Sequence, residues 1–263
     1  MRRLIPLILL CSTPALSQQL PLQTEPASPV PAGTAQLEVA ASSLREEPNY
    51  LTGLPRTTWA GPLLRLAYAP AESVELDVEW VVRVGQVDDP VFGSTSDWGD
   101  VTLRSKWRFA GQRGPRPALA LRLAASLPET RAIEGLGPNT LRTSVELLAS
   151  RASGSFAWHA NVGLSVHDRP FPSSGETPEQ SDFLSYGLAG ALRVSADVDV
   201  VAEVAGRAGE GDPGAASRSE ARLGLRYGRR KWRGAAALRH GLYTSTGKWG
   251  FEAGLVLMVR NPA

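Results

Sequence analysis

Apolar and polar residues alternate with a period of two over most of this chain. The clearest segment is Val74–Trp80, in which apolar residues alternate with Glu75, Asp77 and Glu79. Successive side chains of a β-strand point to opposite sides, so such a segment has one apolar and one polar face. About twelve segments of this kind are found, and they predict an all-β fold. They lie near residues 37–42, 64–68, 74–80, 101–109, 119–127, 141–149, 156–166, 186–194, 198–204, 221–227, 232–240 and 249–259.

The predicted strands are long, and their connections alternate in length. Several reach about 9 to 11 residues, the length that a tilted strand needs to cross a bilayer. Short connections lie near residues 70–73, 111–116, 151–154, 195–196 and 228–231. Long ones lie near residues 45–62, 85–99, 128–139, 167–184, 206–218 and 241–248. Short turns at one end and long loops at the other are typical of outer-membrane barrels. The pattern therefore predicts a closed antiparallel transmembrane β-barrel of about twelve strands.

Aromatic residues fall at both ends of the predicted strands, always on the apolar face. The short-turn end has Tyr68, Trp107, Phe109, Phe156, Trp158, Tyr227 and Trp232, and the other end has Trp80, Tyr186, Trp249 and Phe251. Two such girdles are expected where rings lie at the level of the lipid headgroups. A soluble β-sandwich is the alternative, and its aromatic residues would be scattered along the strands.

If the apolar faces contact lipid, the polar faces line the interior of the barrel. Ions buried without partners in an apolar core would be costly, so this interior is expected to hold water or paired charges. The candidate pore-lining residues are Glu75, Asp77, Glu79, Arg104, Lys106, Arg108, Arg122, Arg142, Glu146, Arg222 and Arg226. Pairing of the third and fourth strands would bring the acidic trio opposite the basic trio. These residues form either a structural ladder of ion pairs or a lining that selects solutes by charge.

The N-terminus has the features of a secretory signal peptide. Arg2 and Arg3 precede the apolar stretch Leu4–Cys11, and Ala15–Ser17 resembles a cleavage site. We expect residues 1–17 to be removed. A lipoprotein anchored through Cys11 is the alternative, although Leu10 stands where a small residue is usual.

Residues 18–35 are rich in glutamine and proline and have little periodicity, so they are predicted to be a disordered leader. The barrel is predicted to occupy residues 36–263. The net charge is only +2, with basic residues spread along the chain, so no nucleic-acid partner is expected. Cys11 is the single cysteine, which leaves no disulfide scaffold or cysteine-rich zinc site.

One region resembles a known family. Asp97–Phe109 has a Gly-Asp pair that opens a strand ending in alternating basic and aromatic residues. It is followed by Pro117–Thr130, then Gly135–Gly137 and His159–Gly163. This order resembles the transporter-like outer-membrane proteins of the MetA-pathway of phenol degradation. The resemblance implies an outer-membrane barrel that moves small, often aromatic or hydrophobic, compounds. The last strand also resembles an outer-membrane assembly signal, although the chain does not end on an aromatic residue.

Catalytic and cofactor sites have little support in the sequence. His159 shares its face with Asn161 and Ser165, and His167 precedes Asp168 at the start of a loop, where Asp88 and Asp89 could face it. Neither set has the spacing of a catalytic or metal site. Gly209–Gly214 matches a nucleotide-binding pattern in form, but it opens no helix. The acidic residues Asp88, Asp89, Asp97 and Asp100 are either solvated charges or ligands for cations that bridge lipopolysaccharide. We expect no enzyme activity and no cofactor.

These patterns together predict a porin-like channel or transporter for small compounds in the outer membrane of a Gram-negative cell. A barrel of twelve strands is expected to have a narrow or gated lumen, because smaller barrels are filled by side chains and larger ones are open. No plug domain is recognisable. The expected partners are outer-membrane lipid and lipopolysaccharide, the barrel-assembly machinery and a small-molecule solute. The alternatives are a barrel enzyme that acts on lipid or peptide, and a structural barrel with a sealed lumen.

Overall fold

The computed structural model describes residues 20–130, 134–168, 180–209, 216–229 and 231–260. The predicted signal peptide lies outside these residues, as does most of the Gly209–Gly214 motif. The strands are β1 (Thr34–Pro48), β2 (Pro55–Ala71), β3 (Val74–Val81), β4 (Val84–Asp89), β5 (Gly93–Asp97), β6 (Val101–Ala110), β7 (Ala118–Leu127), β8 (Arg142–Ser153), β9 (Phe156–Asp168), β10 (Gln180–Arg193), β11 (Val198–Ala208), β12 (Arg218–Arg229), β13 (Trp232–Gly241) and β14 (Trp249–Arg260).

Twelve of these strands form a closed antiparallel barrel. Each pairs with its neighbours in chain order, β3 pairs with β6, and β1 pairs with both β2 and β14 to close the ring. The strands β4 and β5 form a hairpin that continues the sheet from β2 beyond the ring. The predicted fold class and strand number are therefore confirmed.

The two ends of the barrel differ in their connections. The end with short connections, such as residues 72–73 and 154–155, is called the turn end below, and the opposite end is the loop end. Both Thr34 and Arg260, which pair with each other, lie at the turn end. Two predicted loops, 45–62 and 85–99, are wrong in large part, because β1, β2 and the β4–β5 hairpin extend through them. Beyond the membrane neither face of a strand contacts lipid, so the backbone ladder continues there without an apolar pattern.

The apolar strand faces point outward and the charged faces point inward. On β3, Leu76 is 50% exposed and Val78 37%, whereas Glu75 is 1% exposed and Asp77 6%. The girdle residues Tyr68 and Trp107 at the turn end, and Trp249 and Phe251 at the loop end, are exposed on the outer surface. This is the arrangement expected of a barrel surrounded by lipid.

The described residues contain no α-helix, and a 3₁₀ turn lies at Thr244–Thr246. None of their helices is long and apolar enough to span a bilayer.

The segment before β1 lies inside the barrel. Residues 20–33, called the N-terminal segment below, contain no strand, yet Leu20, Leu22, Glu25, Ala27 and Val30 are all at most 5% exposed. The predicted disordered leader is therefore wrong for these residues. The physical reason is that this segment is ordered by contacts with the barrel wall rather than by a pattern of its own.

Candidate functional site

A network of ion pairs crosses the wall of the lumen between β3 and β6. Glu75 lies opposite Lys106 with a carboxylate oxygen 2.9 Å from Nζ. Arg104 pairs with both Asp77 at 3.0 Å and Glu79 at 2.9 Å. The predicted contact of the acidic and basic trios is confirmed for these five residues. Arg108 lies outside the contact, because the register places it beyond Glu75, where its backbone N–H donates to the Ser73 carbonyl.

Glu25 of the N-terminal segment joins this network at its centre. Its carboxylate oxygens lie 2.9 Å from Arg65, 3.2 Å from Lys106 and 2.8 Å from Arg122, and the residue is fully buried. The three cations come from β2, β6 and β7. A single carboxylate of the segment is thus held by charges from three strands.

Each of those cations also has a carboxylate on the wall. Arg65 pairs with Asp77, Lys106 with Glu75, and Arg122 with Glu146. The wall network is therefore charge-paired without Glu25, whose contacts add to pairs that already exist.

A second set of polar contacts holds the other end of the N-terminal segment. The Glu203 carboxylate accepts hydrogen bonds from the backbone N–H groups of Gln23, at 2.9 Å, and Thr24. Arg222 donates to the Pro21 carbonyl and Arg226 to the Leu20 carbonyl, both at 2.8 Å. Arg222 is itself paired with carboxylates from three strands, Glu203, Glu220 and Glu252.

The turn-end half of the lumen is lined by alanines that leave space for the N-terminal segment. Leu22 packs against Ala189, Ala191 and Val201, and Ala27 packs against Ala118, Ala120 and Leu148. Leu20 and Val30 make similar contacts with Ala40 and Ala235, and with Ala67 and Ala69. At Gly187, a Cβ would lie 2.3 Å from the Thr24 hydroxyl oxygen. These wall positions are small where the segment passes.

Two cavities remain in the lumen. The larger, called the outer chamber below, has a volume of about 510 Å³ and is lined by the loop-end parts of the strands. The smaller, called the inner chamber, has a volume of about 350 Å³ and is lined by Leu20, Leu22 and Thr24 together with the ion-pair network. Both cavities are lined by Gln23, Ala205 and Gly206, so they meet at the N-terminal segment.

The β7–β8 loop folds over the loop end. Its carbonyl groups at Glu134 and Gly135 accept hydrogen bonds from Gln86 and Arg56, and Gly137 accepts one from Tyr50. Burial raises the pKa of Tyr50 to about 12, so its hydroxyl stays protonated and donates. The loop therefore forms part of the wall of the outer chamber.

Asp89 links two connections at the loop end, the one between β1 and β2 and the one between β4 and β5. It accepts hydrogen bonds from the Asn49 side chain at 2.8 Å and from the backbone N–H groups of Val91 and Phe92. Burial alone would raise the pKa of Asp89, but these hydrogen bonds to the ionised form lower it below its ordinary value. Asp97 is also buried, and Asp100 pairs with Arg142, so the expectation of a solvated acidic cluster is wrong for these three residues.

The structure places most of the candidate pore-lining residues in one network. All except Arg108 make side-chain ion pairs or hydrogen bonds with the wall or the N-terminal segment, namely Glu75, Asp77, Glu79, Arg104, Lys106, Arg122, Arg142, Glu146, Arg222 and Arg226. Sequence reasoning missed Glu25, Arg65 and Arg56. Arg65 carried a signal, because it interrupts the apolar stretch Leu64–Tyr68 on its inward side.

The residues considered for catalysis are engaged in other contacts. His159 Nδ1 lies 2.9 Å from the Ser150 hydroxyl, which also accepts a hydrogen bond from Ala27 N–H. The His167 ring is tilted by 42° against the Phe183 ring, with the ring centres 4.4 Å apart. In the described part of the chain, no group of three or more His, Cys, Asp or Glu residues is placed to hold a metal.

Comparison with known proteins supports the fold. No family model matches the chain, and no curated protein is similar to it in sequence. The NanC porin is similar in structure, with a TM-score of 0.56 and 9% identity over 84% of this chain and 98% of that one. The β domain of the Bordetella autotransporter BrkA has a TM-score of 0.52 and 12% identity over 86% of this chain and 99% of that one.

A porin and an autotransporter domain therefore share this architecture. At such low identity the likeness bears on the fold alone. Together with the outward apolar surface, it identifies this chain as an outer-membrane β-barrel.

Proposed function

We propose that this barrel is a channel for small solutes whose lumen is closed by its own N-terminal segment. The observation that supports it most is the content of the lumen. Two chambers lined by polar and charged side chains meet at a single stretch of irregular chain, residues 20–33. A barrel with a purely structural role needs no such cavities. With short turns on the periplasmic side, as in bacterial barrels, the segment closes the periplasmic half.

The contacts of the N-terminal segment are compatible with its movement out of the lumen. It is not a strand of the barrel, and the wall network stays charge-paired without it. Its hold on the wall is nevertheless strong, since Leu20, Leu22 and Val30 are buried and each contributes roughly 1.5–3 kcal/mol. The closed form is therefore expected to predominate, with rare openings.

Glu25 is the residue through which the closed form is most readily weakened. Its replacement by glutamine removes three ion pairs from the segment, while Arg65, Lys106 and Arg122 keep their wall carboxylates. The substitution thus avoids leaving an uncompensated buried charge, which is the usual reason that breaking a buried pair unfolds a protein. We expect the open fraction to rise roughly tenfold to a hundredfold, as for a loss of about 1.5–3 kcal/mol.

Single-channel conductance in planar bilayers tests this proposal. The full mature chain is compared with the Glu25→Gln variant and with a Glu46→Gln control, whose carboxylate pairs with Lys248 on the exposed surface. We expect brief, rare openings for the parent chain and the control, and frequent openings for Glu25→Gln. Absence of conductance in all three would favour a structural barrel with a sealed lumen. Frequent openings of equal size in all three would mean that the segment does not close the lumen.

The nature of the solute also belongs to this proposal. The resemblance to MetA-pathway proteins favours aromatic compounds, and the charged walls favour solutes that carry polar groups. The His159–Ser150 pair lies in the turn-end half of the lumen, where the Ser150 hydroxyl also binds the backbone of Ala27, whereas the enzyme alternative needs its site at the outer rim. We therefore propose that the chain is not an enzyme. We further propose export by a signal peptide that ends at Ser17, assembly by the barrel-assembly machinery, and contact with lipid and lipopolysaccharide at the outer surface.

A further inference from the structure

The outer chamber is lined by an excess of positive charge. Among the described residues, three carboxylates line it, Glu47, Asp168 and Glu220, against five arginines, one of which, Arg142, pairs with Asp100 outside the lining. The arginines are Arg56, Arg142, Arg207, Arg218 and Arg239. They come from β2, β8, β11, β12 and β13, and so most of them follow one continuous arc of the wall.

Within this arc, two arginines lie directly opposite each other. Arg207 on β11 and Arg218 on β12 are cross-strand partners. Like charges in that position repel, and Arg142 lines the same cavity. Glu47 offsets part of the repulsion by pairing with Arg218 at 2.6 Å. An anion between Arg207 and Arg142 would be attracted by both side chains.

Some of the arginine donors have no acceptor. The Nε–H groups of Arg56 and Arg142 are buried and make no hydrogen bond within the part of the chain that the structure describes. Arg56 is only 5% exposed, although its two terminal nitrogens donate to Gln86 and to the Gly135 carbonyl. Both atoms are closed off from solvent, so a solute in the chamber would reach only the terminal nitrogens of the lining arginines.

The rest of the lining is a mixture of polar and apolar side chains. Leu44, Leu136, Pro138 and the buried Phe183 form its apolar part, and the Arg207 guanidinium lies 4.4 Å from the centre of the Phe183 ring. A cavity of about 510 Å³ with an apolar part and a few convergent charged groups has the size and chemistry of a small-molecule site. Arginine is the residue best suited to bind a carboxylate, because its planar fork offers two parallel donors.

We propose that the outer chamber is a binding site for a small organic carboxylate with an apolar body, held by Arg207 and Arg142. The site lies inside the barrel at its loop end, where a solute enters from outside and where lipid headgroups do not reach. This inference rests on the proposed channel, for which it names the class of solute. The N-terminal segment lies below the chamber, so binding does not require the channel to open.

The test is a titration of the full chain in detergent with benzoate, followed by calorimetry at low salt. Benzyl alcohol is the control ligand, because it has a similar body and no charge. The variants are Arg207→Gln and Arg142→Gln, with Arg193→Gln as the matched control at the turn end, where Arg193 pairs with Asp199 at 3.2 Å. Circular dichroism and the heat-dependent gel shift typical of barrels verify that each variant is folded.

We expect saturable binding of benzoate, no binding of benzyl alcohol, and benzoate affinity about tenfold weaker in each chamber variant but unchanged in Arg193→Gln. Equal binding of the two ligands would overturn the proposal, as would equal benzoate affinity in Arg207→Gln and Arg193→Gln, or no binding by the parent chain. If one chamber variant does not fold, the other decides. Since the titration measures no flux, a barrel that fails to conduct can still bind, and a conducting barrel can fail to bind.

Discussion

The two halves of the lumen have the same wall but opposite contents. At the turn end the inward positions include buried alanines, and the chain's own N-terminal segment fills the space between them. At the loop end the inward positions include arginines, and the space between them is a cavity. The inward residues of the same strands are thus small and apolar at one end and basic at the other. The turn-end half is complementary to the N-terminal segment of the chain itself. The loop-end half is complementary to a ligand from outside the chain, for which we propose a small carboxylate.

The largest effect is expected when the small wall at the turn end is enlarged. Ala120 is fully buried against Ala27, so Ala120→Phe leaves no room for the segment at that point. Overpacking of this kind costs about 1–3 kcal/mol. We expect the segment to leave the lumen, and this is measured as cleavage after Glu25 by a glutamate-specific protease.

The matched control for that variant is Ala124→Phe, on the same strand and the same inward face but nearer the loop end. Ala124 is only half-buried, so the added ring has room there. Protection of Glu25 in this control and cleavage in Ala120→Phe would support the contrast between the two halves. Similar protection of Glu25 in the two variants would contradict this contrast.

An effect of intermediate size is expected from Gly135→Ala at the loop end. Gly135 has φ of +74°, and an added Cβ would lie 2.1 Å from the Asn49 side-chain oxygen. The left-handed conformation alone costs a non-glycine residue about 1–2 kcal/mol. We expect faster hydrogen exchange in residues 49–54 and 134–141, with the exchange of residues 20–33 unchanged. Faster exchange in all three stretches would mean that the halves are not independent.

The smallest effect concerns Asp89 and pH. Folding lowers the pKa of this carboxyl, so its contribution to stability is complete above the pKa of the unfolded chain, about 3.9, and is lost as the pH falls through the lower folded value. Asp89→Asn keeps the shape but removes the charge. We expect the melting temperature of the parent chain to fall more than that of the variant between pH 5 and about pH 3. Parallel curves would show that the charge of Asp89 does not hold the loop.

The sequence was sufficient for the wall of this barrel because the wall repeats. Glu75, Asp77 and Glu79 alternate with apolar residues, and pairing of neighbouring strands then brings Lys106 and Arg104 to them. The period of two encodes which side of each residue faces lipid, and chain order encodes which strands meet. Arg108 departed from the prediction because the register of β3 and β6 places it beyond Glu75.

The N-terminal segment was not predictable in the same way. Glu25 is one acidic residue among prolines, and its partners Arg65, Lys106 and Arg122 lie on three different strands that come together only when the barrel closes. Contacts between residues so far apart in the sequence leave no periodic pattern around Glu25. The inward alanines at the turn end were the available signal, because small apolar side chains facing a water-filled lumen would have no partner there. The alanines at 67, 69, 118, 120, 189 and 191 share this position.

The central claim, that residues 20–33 close the lumen, is tested most directly by locking the segment in place. A Cβ at Gly187 would lie 3.3 Å from the Thr24 Cβ, near the spacing that a disulfide needs. Thr24→Cys and Gly187→Cys are combined with Glu25→Gln in the mature chain, from which the predicted cleavage has removed Cys11. Conductance in planar bilayers is then recorded before and after addition of dithiothreitol. We predict a silent channel when the pair is oxidised and frequent openings after reduction. Equal conductance in the two states, with the disulfide shown to form, would contradict the account.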